Sequence, residues 1–350
     1  MPSPIVHRRD VEKRAGIFTL WERRRHSKEV HWAIECVAEA TGVFFYVFYG
    51  LGSQVAWAFQ NNTGQAGLAS ILQIGLAYCF GIVFALVVCA STSGGHFNPA
   101  VTITMVILKG FPKRKALRYI VAQILGGYIA CLVIYAQWKD FLDLAEGALM
   151  AKGPAVYDAT MFTPNGVAGA FANFKLEQQS MGRAFMNEFF NCLMIGMIIW
   201  AALDPTNILI PPALSPLIIA FAYAAAIWGY SVPSISLNAA RDLGGRLAAL
   251  TIWGMKASGD GFSAISSLVN IPATLLAAIF YEIFFTDSDR VVDASHVEYI
   301  RVHANHARLG HESGMQVPVT QNPSTNASTG SMEKGTEVLY EHAPVANSQV

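Results

Sequence analysis

The sequence has little charge and few groups that could carry out chemistry. Only 14% of its 350 residues are charged, 53% are hydrophobic, and the formal net charge is +0. A balanced charge gives no indication of nucleic-acid binding, and so apolar a composition is typical of membrane proteins. The apolar segments contain no paired acids, no His/Cys cluster with metal-ligand spacing and no nucleophile–base pair. We therefore expect neither an enzyme nor a cofactor.

Cysteine is also scarce, with five residues in the whole chain. All five fall within apolar segments, which argues against a disulfide framework and favours small, buried packing residues. They are Cys36, Cys79, Cys89, Cys131 and Cys192.

Long apolar runs are present instead. A bilayer core about 30 Å thick needs roughly 20 apolar residues per helix, and we predict six such spans. They are 32–54, 70–92, 116–138, 182–203, 213–232 and 265–285. This divides the chain into an N-terminal arm (1–30), a membrane-spanning domain (31–286, with halves 31–138 and 182–286) and a polar tail (287–350) that we expect to be mostly disordered.

Basic residues predict the orientation of the spans. The N-terminal arm is rich in arginine, the loop after the second span contains Lys109, Lys113 and Arg114, and the loop 55–69 has no charged residue. Because lysine and arginine are enriched in cytoplasmic loops, both termini are predicted in the cytosol. We expect a multi-pass protein in contact with membrane lipid, with the plasma membrane as its location.

One short pattern occurs twice, as Ser93-Gly-Gly-His-Phe-Asn-Pro-Ala100 and Ser234-Ile-Ser-Leu-Asn-Ala-Ala-Arg-Asp242. Three spans separate the two copies, so the segments enter from opposite membrane faces, as in an inverted repeat. The segments that follow, 98–108 and 238–248, are too short to cross a bilayer. The predicted fold is therefore an all-α membrane protein with six transmembrane helices and two re-entrant half-helices.

The half-helices should meet at the centre of the membrane. Asn98 and Asn238 are good N-caps, and Pro99 suits the first helical position. Both positive dipole ends then point at the centre, where amide N–H groups donate to the oxygen of a neutral hydroxyl and a hydrated cation is disfavoured. The backbone carbonyls of the non-helical segments are predicted to form an acceptor ladder; these segments comprise Gly94, Gly95, His96, Ser234, Ile235 and Ser236.

Two carboxylates lie early in corresponding apolar helices. Glu39 in the first span and Glu188 in the fourth would be costly if they faced lipid, so both should face inward. We expect them to accept hydrogen bonds from loop N–H groups rather than to carry protons. His96 is open to two interpretations, as a brace for its loop and as a pore-lining residue.

These motifs resemble the major intrinsic protein family, the aquaporins and aquaglyceroporins, over residues 30–290. The resemblance implies a homotetramer with one pore in each subunit. It also implies a selectivity filter of Tyr78, Ala226, Ile235 and Arg241, although Arg241 beside Asp242 is also compatible with a simple ion pair. The family's second Asn-Pro-Ala is replaced in this chain by Asn238-Ala239-Ala240, for which we expect a slightly altered constriction and a pore that is retained.

Asp242 and Arg246 resemble the glycerol-conducting branch of the family, in a fungal-like form. Ala226 stands where water-selective members usually have histidine, which implies a wide filter. We therefore expect a passive channel for glycerol, water and other small neutral solutes such as hydrogen peroxide. A water-selective aquaporin is the alternative. An ion-coupled transporter also uses inverted repeats and broken helices, but the central motifs offer neutral amides and carbonyls rather than an ion site.

Overall fold

The computed structural model describes residues 6–312, and the regular structure in that range is entirely helical. It consists of fourteen α-helices and one 3₁₀ turn at Gly254–Ala257. In chain order the α-helices are α1 Arg8–Val11, α2 Gly16–Arg25, α3 Lys28–Thr63, α4 Ile71–Ser93, α5 Pro99–Leu108, α6 Lys113–Ala151, α7 Pro154–Thr160, α8 Val167–Phe171, α9 Met181–Leu203, α10 Ser215–Tyr230, α11 Ala239–Trp253, α12 Phe262–Leu268, α13 Asn270–Phe284 and α14 Ala294–Glu312.

Five helical segments are long and apolar enough to cross a membrane: α3, α4, α6, α9 and the continuous α12–α13 segment. The sixth predicted span is α10, an apolar helix of 16 residues that reaches roughly 24 Å. We call the side of the bundle where α3 begins and α13 ends the terminal face, and the opposite side the loop face.

Two of the helices continue well past their predicted ends. α3 reaches Thr63 rather than residue 54, and α6 reaches Ala151 rather than residue 138. The apolar windows stop earlier because the last turns are polar, yet these turns have partners on the loop face. Gln60 there bonds the backbone of Ala69, and Asn62 bonds the carbonyl of Asn165. α3 then ends at Gly64, whose φ of 77° is left-handed.

The two short helices begin at the asparagines, as the spacing predicts. The Asn98 side chain accepts a hydrogen bond from the Ala100 N–H, and the Asn238 side chain accepts from the N–H groups of Ala240 and Arg241. α11 continues to Trp253, beyond the predicted end at residue 248. In both loops the residue just before the asparagine has positive φ, 46° at Phe97 and 63° at Leu237. The two halves therefore repeat in backbone detail.

The end regions contain more helix than the composition indicates. α1 and α2 form part of the N-terminal arm. The tail that we predict to be mostly disordered contains helix α14 at residues 294–312. His296 on this helix is only 5% exposed. The helix therefore packs against the rest of the protein, which the composition of the tail does not indicate. Residues 313–350 lie outside the described residues.

Small residues allow α3, α4 and α6 to pack closely. A Cβ atom on Gly126 of α6 would lie 2.1 Å from the Ala40 carbonyl oxygen of α3, and one on Gly81 of α4 would lie 2.7 Å from the Tyr46 Cα. Such close approach of backbones is typical of helix pairs in membranes.

We predict that Gly126→Ala destabilises the bundle. The added methyl overlaps a backbone atom that cannot rotate away, and overpacking of this kind costs about 1–3 kcal/mol. The matched control is Gly147→Ala on the same helix, where a Cβ meets nothing within 4 Å. Thermal unfolding in detergent should show a lower midpoint for Gly126→Ala alone. Equal midpoints for the two variants would contradict the close α3–α6 crossing.

Candidate functional site

A cavity of about 810 Å³ is lined by residues from both faces of the bundle. At the loop face it is lined by Gln54, Trp57 and Asn165, and at the terminal face by Met105 and Lys109. The asparagines of both half-helices and the residues of both preceding loops line the same cavity. The repeated motifs therefore share one path, and the features of the site are placed along it.

The two asparagines face each other at the middle of this cavity. Asn98 Nδ2 donates to the Leu237 carbonyl at 3.3 Å, and Asn238 Nδ2 donates to the Phe97 carbonyl at 2.9 Å. Each asparagine thus caps its own helix through Oδ1 and bonds the opposite loop through Nδ2. Both side chains are nearly buried. Tyr223 of α10 lies beside them and interacts with the Asn98 amide.

Glu39 holds the first loop in place. Its carboxylate accepts hydrogen bonds from the backbone N–H groups of His96 (3.1 Å) and Phe97 (2.8 Å). Gln123 Nε2 and Ser93 Oγ donate to it at 2.7 and 2.6 Å. The side chain is fully buried. These four donors therefore replace the hydrogen bonds from water that the carboxylate loses on burial.

Glu188 occupies the equivalent position in the second half. Its two oxygens accept from the backbone N–H groups of Ser236 (2.7 Å) and Leu237 (2.8 Å). As in the first half, these are the two residues that precede the asparagine. Cys192 Sγ adds a weaker contact at 3.4 Å. Both carboxylates therefore face inward and contact loop N–H groups.

The predicted carbonyl ladder lies along the cavity wall. All six of its residues, Gly94, Gly95, His96, Ser234, Ile235 and Ser236, line the cavity. The carbonyls of Gly94, Gly95, Ile235 and Ser236 accept no hydrogen bond from the described residues. His96 both lines the cavity and contacts the protein, with its Nδ1 3.2 Å from Thr102 Oγ1 and its ring against Phe111.

Arg241 lies toward the loop face in a cluster with two other side chains. Its Nη2 donates to Gln54 Oε1 at 2.7 Å, and its Nε donates to the Tyr78 hydroxyl at 3.3 Å. The Tyr78 hydroxyl in turn donates to Gln54 Oε1 at 2.6 Å. We call Gln54, Tyr78 and Arg241 the Arg241 cluster. Its members come from α3, α4 and α11, and all three line the cavity.

Backbone carbonyls of the segment between α6 and α9 complete the environment of Arg241. Nη1 donates to the Phe171 carbonyl at 3.1 Å, and Nη2 donates to the Ala170 carbonyl at 3.0 Å. The motifs of the sequence do not include Gln54, Ala170 or Phe171. A glutamine at the end of an apolar span is a signal that could have indicated Gln54, whereas no sequence signal marks a backbone carbonyl.

Asp242 and Arg246 lie behind the cavity wall rather than on it. Asp242 is completely buried and accepts from Ser266 Oγ (2.8 Å), Ser267 Oγ (2.7 Å) and Asn173 Nδ2 (3.0 Å). Arg246 donates to the carbonyls of Ala257 and Asn173. Asp242 thus has hydroxyl and amide donors as its partners and makes no ion pair with Arg241 among the described residues. Both charged groups tie the start of α11 to its neighbours.

The four predicted filter residues differ in their relation to the cavity. Tyr78, Ile235 and Arg241 line the cavity, but Ala226 does not; the next residue, Ile227, lines it instead. Ile219, Tyr223 and Ile227 recur every four residues and so share one face of the helix. Ala226 is about 100° from Ile227 and about 60° from Tyr223 around the helix; it is buried. Ile227 therefore adds an apolar side chain to this wall.

Helix α14 contributes to the cavity at the terminal face. His296, Tyr299 and Ile300 line it there. Asp293 accepts from the Ser295 N–H at 2.7 Å and contacts His296 Nδ1 at 2.5 Å. Hydrogen bonds from Ser295 and His296 lower the pKa of Asp293 to about 2. The carboxylate is therefore charged at neutral pH and holds His296 at the mouth.

Comparison with known proteins points to one family. A family model described as "Major intrinsic protein" matches residues 26–257. An aquaporin of Laccaria bicolor is 59% identical over 312 residues, covering 89% of this chain and 94% of its own length. Aquaporin-3 of the same fungus is 60% identical over 307 residues, with 87% and 92% covered.

The fold also matches a solved structure, that of the aquaglyceroporin from Plasmodium falciparum. The TM-score is 0.61 at 19% sequence identity, covering 72% of this chain and 96% of the other. The predicted fold, six transmembrane helices with two half-helices, is confirmed by this likeness and by the family. The chain therefore belongs to the major intrinsic protein family, whose members are multi-pass membrane channels for water and small solutes, typically tetrameric, and not enzymes.

Proposed function

We propose that this chain is a passive channel for glycerol and water, which also admits other small neutral solutes such as hydrogen peroxide. The observation that carries the proposal is the division of the cavity wall near Arg241. Gln54, Tyr78 and Arg241 make one polar wall, and Ile227 and Ile235 lie in the same stretch of cavity without polar groups. A polyol has a carbon backbone for the apolar wall and hydroxyls for the polar wall, whereas water uses only the latter.

The level of the constriction follows from helix geometry. Ile227 lies four residues beyond Tyr223, about 6 Å along the helix axis. Tyr223 marks the centre because it interacts with Asn98. Ile227 thus lies between the centre and the loop face, on the same side of the centre as Gln54. We propose Gln54, Tyr78, Ile227, Ile235 and Arg241 as the filter.

The proposed function also covers the centre of the cavity, the residues behind its wall and the oligomer. We propose that the centre at Asn98 and Asn238 disfavours cations through its two helix dipoles. Asp242 and Arg246, as markers of the glycerol branch, act through the position of Arg241. Four copies of the chain form a homotetramer in the plasma membrane, with both termini in the cytosol.

Stopped-flow light scattering on proteoliposomes tests the proposal directly. Water and glycerol gradients are applied to one preparation, and we expect both fluxes to exceed those of empty liposomes. Glycerol flux should rise linearly with concentration and ignore imposed proton or sodium gradients, because no step is coupled to an ion. Fast water flux with glycerol at the lipid background would instead identify a water-selective aquaporin. Gradient-dependent flux would identify a coupled transporter.

We predict that Ile227→Ala raises glycerol flux more than water flux. Truncation removes bulk from the apolar wall, and each ~1.4 kcal/mol taken off the passage barrier speeds passage about tenfold. Water is already small enough to pass, so it should gain less. Ile218→Ala is the matched control, because it makes the same change on α10 at a residue that does not line the cavity. An unchanged glycerol-to-water ratio in Ile227→Ala would remove Ile227 from the filter.

We also predict that removing residues 290–350 raises water and glycerol flux by the same factor. This deletion takes away α14, which lines the mouth at the terminal face, and leaves the filter intact. The ratio of the two fluxes should therefore stay constant, in contrast to a filter variant. A protein truncated after residue 303 is the control, because it keeps His296, Tyr299 and Ile300. Unchanged flux in the longer deletion would show that α14 does not restrict the mouth.

A further inference from the structure

In the Arg241 cluster, the protein forms hydrogen bonds with only one end of the Gln54 side-chain amide. Gln54 Oε1 accepts two hydrogen bonds, one from the Tyr78 hydroxyl and one from Arg241 Nη2. The amide orientation is set by its partner, because a guanidinium has donors only and must meet the oxygen. Nε2 therefore points away from Arg241, on a residue that lines the cavity.

The described residues supply no acceptor for Gln54 Nε2. This nitrogen is also not sealed off, since it is absent from the buried polar atoms that lack a partner. A primary amide nitrogen carries two N–H donors. Two unsatisfied donors on a cavity-lining residue are thus available to whatever passes.

Arg241 itself has little hydrogen-bonding capacity left. A guanidinium has five N–H donors. One is used on Tyr78, one on Phe171, and two from Nη2 on Gln54 and Ala170. A single Nη1 donor remains, fewer than the two on Gln54. Arg241 therefore has fewer free donors for a solute than Gln54 has.

We propose that Gln54 is a specificity-determining residue of this channel, with a separate task for each end of its amide. Its oxygen fixes Arg241 and Tyr78, and its nitrogen donates hydrogen bonds to oxygen atoms of the solute. This inference rests on the proposed conduction of glycerol. A solute with two oxygens can accept from Gln54 Nε2 and Arg241 Nη1 together, while water has one oxygen for both. Gln54 therefore favours polyols relative to water.

Two substitutions separate the two tasks. Gln54→Glu is nearly isosteric and keeps an oxygen for Tyr78 and Arg241, but it removes the N–H donors. Gln54→Leu removes both ends of the amide. Gln73→Leu is the matched control, because Gln73 is exposed on α4 and does not line the cavity. Each variant is purified as a monodisperse oligomer and reconstituted at equal protein density.

The readout is the glycerol-to-water permeability ratio on one preparation. For Gln54→Glu we expect the ratio to fall about threefold to tenfold, as for one lost hydrogen bond, with water flux near that of the parent. Gln54→Leu should lower the ratio as well and also reduce water flux, because Arg241 and Tyr78 lose their shared acceptor. Gln73→Leu should match the parent in both fluxes.

The outcomes that overturn the proposal are specific. A parental ratio in Gln54→Glu would show that Gln54 only positions Arg241, and the donor role would be wrong. A parental ratio in both variants would remove Gln54 from specificity altogether. If the parent conducts water but no glycerol, the proposed function fails separately. The same variants are then compared by hydrogen peroxide flux, since that solute also has two acceptor oxygens. The Glu variant decides the matter even if Gln54→Leu does not assemble.

Discussion

The structure depends on two buried carboxylates that allow non-helical backbone to exist at membrane depth. Unpaired N–H groups there cost several kcal/mol each, because no water is present to bond them. Glu39 bonds the two N–H groups before Asn98, and Glu188 bonds the two before Asn238. The left-handed residue that ends each loop adds strain of about 1–3 kcal/mol. The hydrogen bonds to the two carboxylates hold each loop in its shape despite this strain.

That constraint also joins the two halves. Once each loop is held, its last carbonyl faces the opposite asparagine, and the Phe97 and Leu237 carbonyls accept from Asn238 and Asn98. The exchange explains why alanine is tolerated at residue 239. The proline of the first copy contributes a fixed φ, but the cap itself comes from Asn238 Oδ1, which still bonds the N–H groups of Ala240 and Arg241. The asparagine determines the geometry of the centre.

Much of this arrangement could be predicted because it is local or repeats. The duplicated motif, the odd number of spans between its copies and the two carboxylates are all visible in the chain, and they indicate the inverted fold and the inward-facing acids. The sequence does not show which residues of α10 face the cavity. A shift of one residue turns a helix by about 100°, and only the packing of α10 decides between Ala226 and Ile227. The ends of α3 and α6 and the order in α14 depend on distant partners in the same way.

The surroundings of Arg241 show why composition at the constriction does not by itself give selectivity. Arg241 is only 5% exposed. A guanidinium so deeply buried needs acceptors for most of its N–H donors. Its partners come from α3, α4 and the segment after α6, so residues far apart in sequence decide which donor remains for a solute. Asp242 acts one step further back by fixing the start of α11. A solute therefore meets only the hydrogen-bond donors that the protein's own acceptors leave free. A residue such as Gln54, absent from the motif, can leave more free donors than the arginine within it.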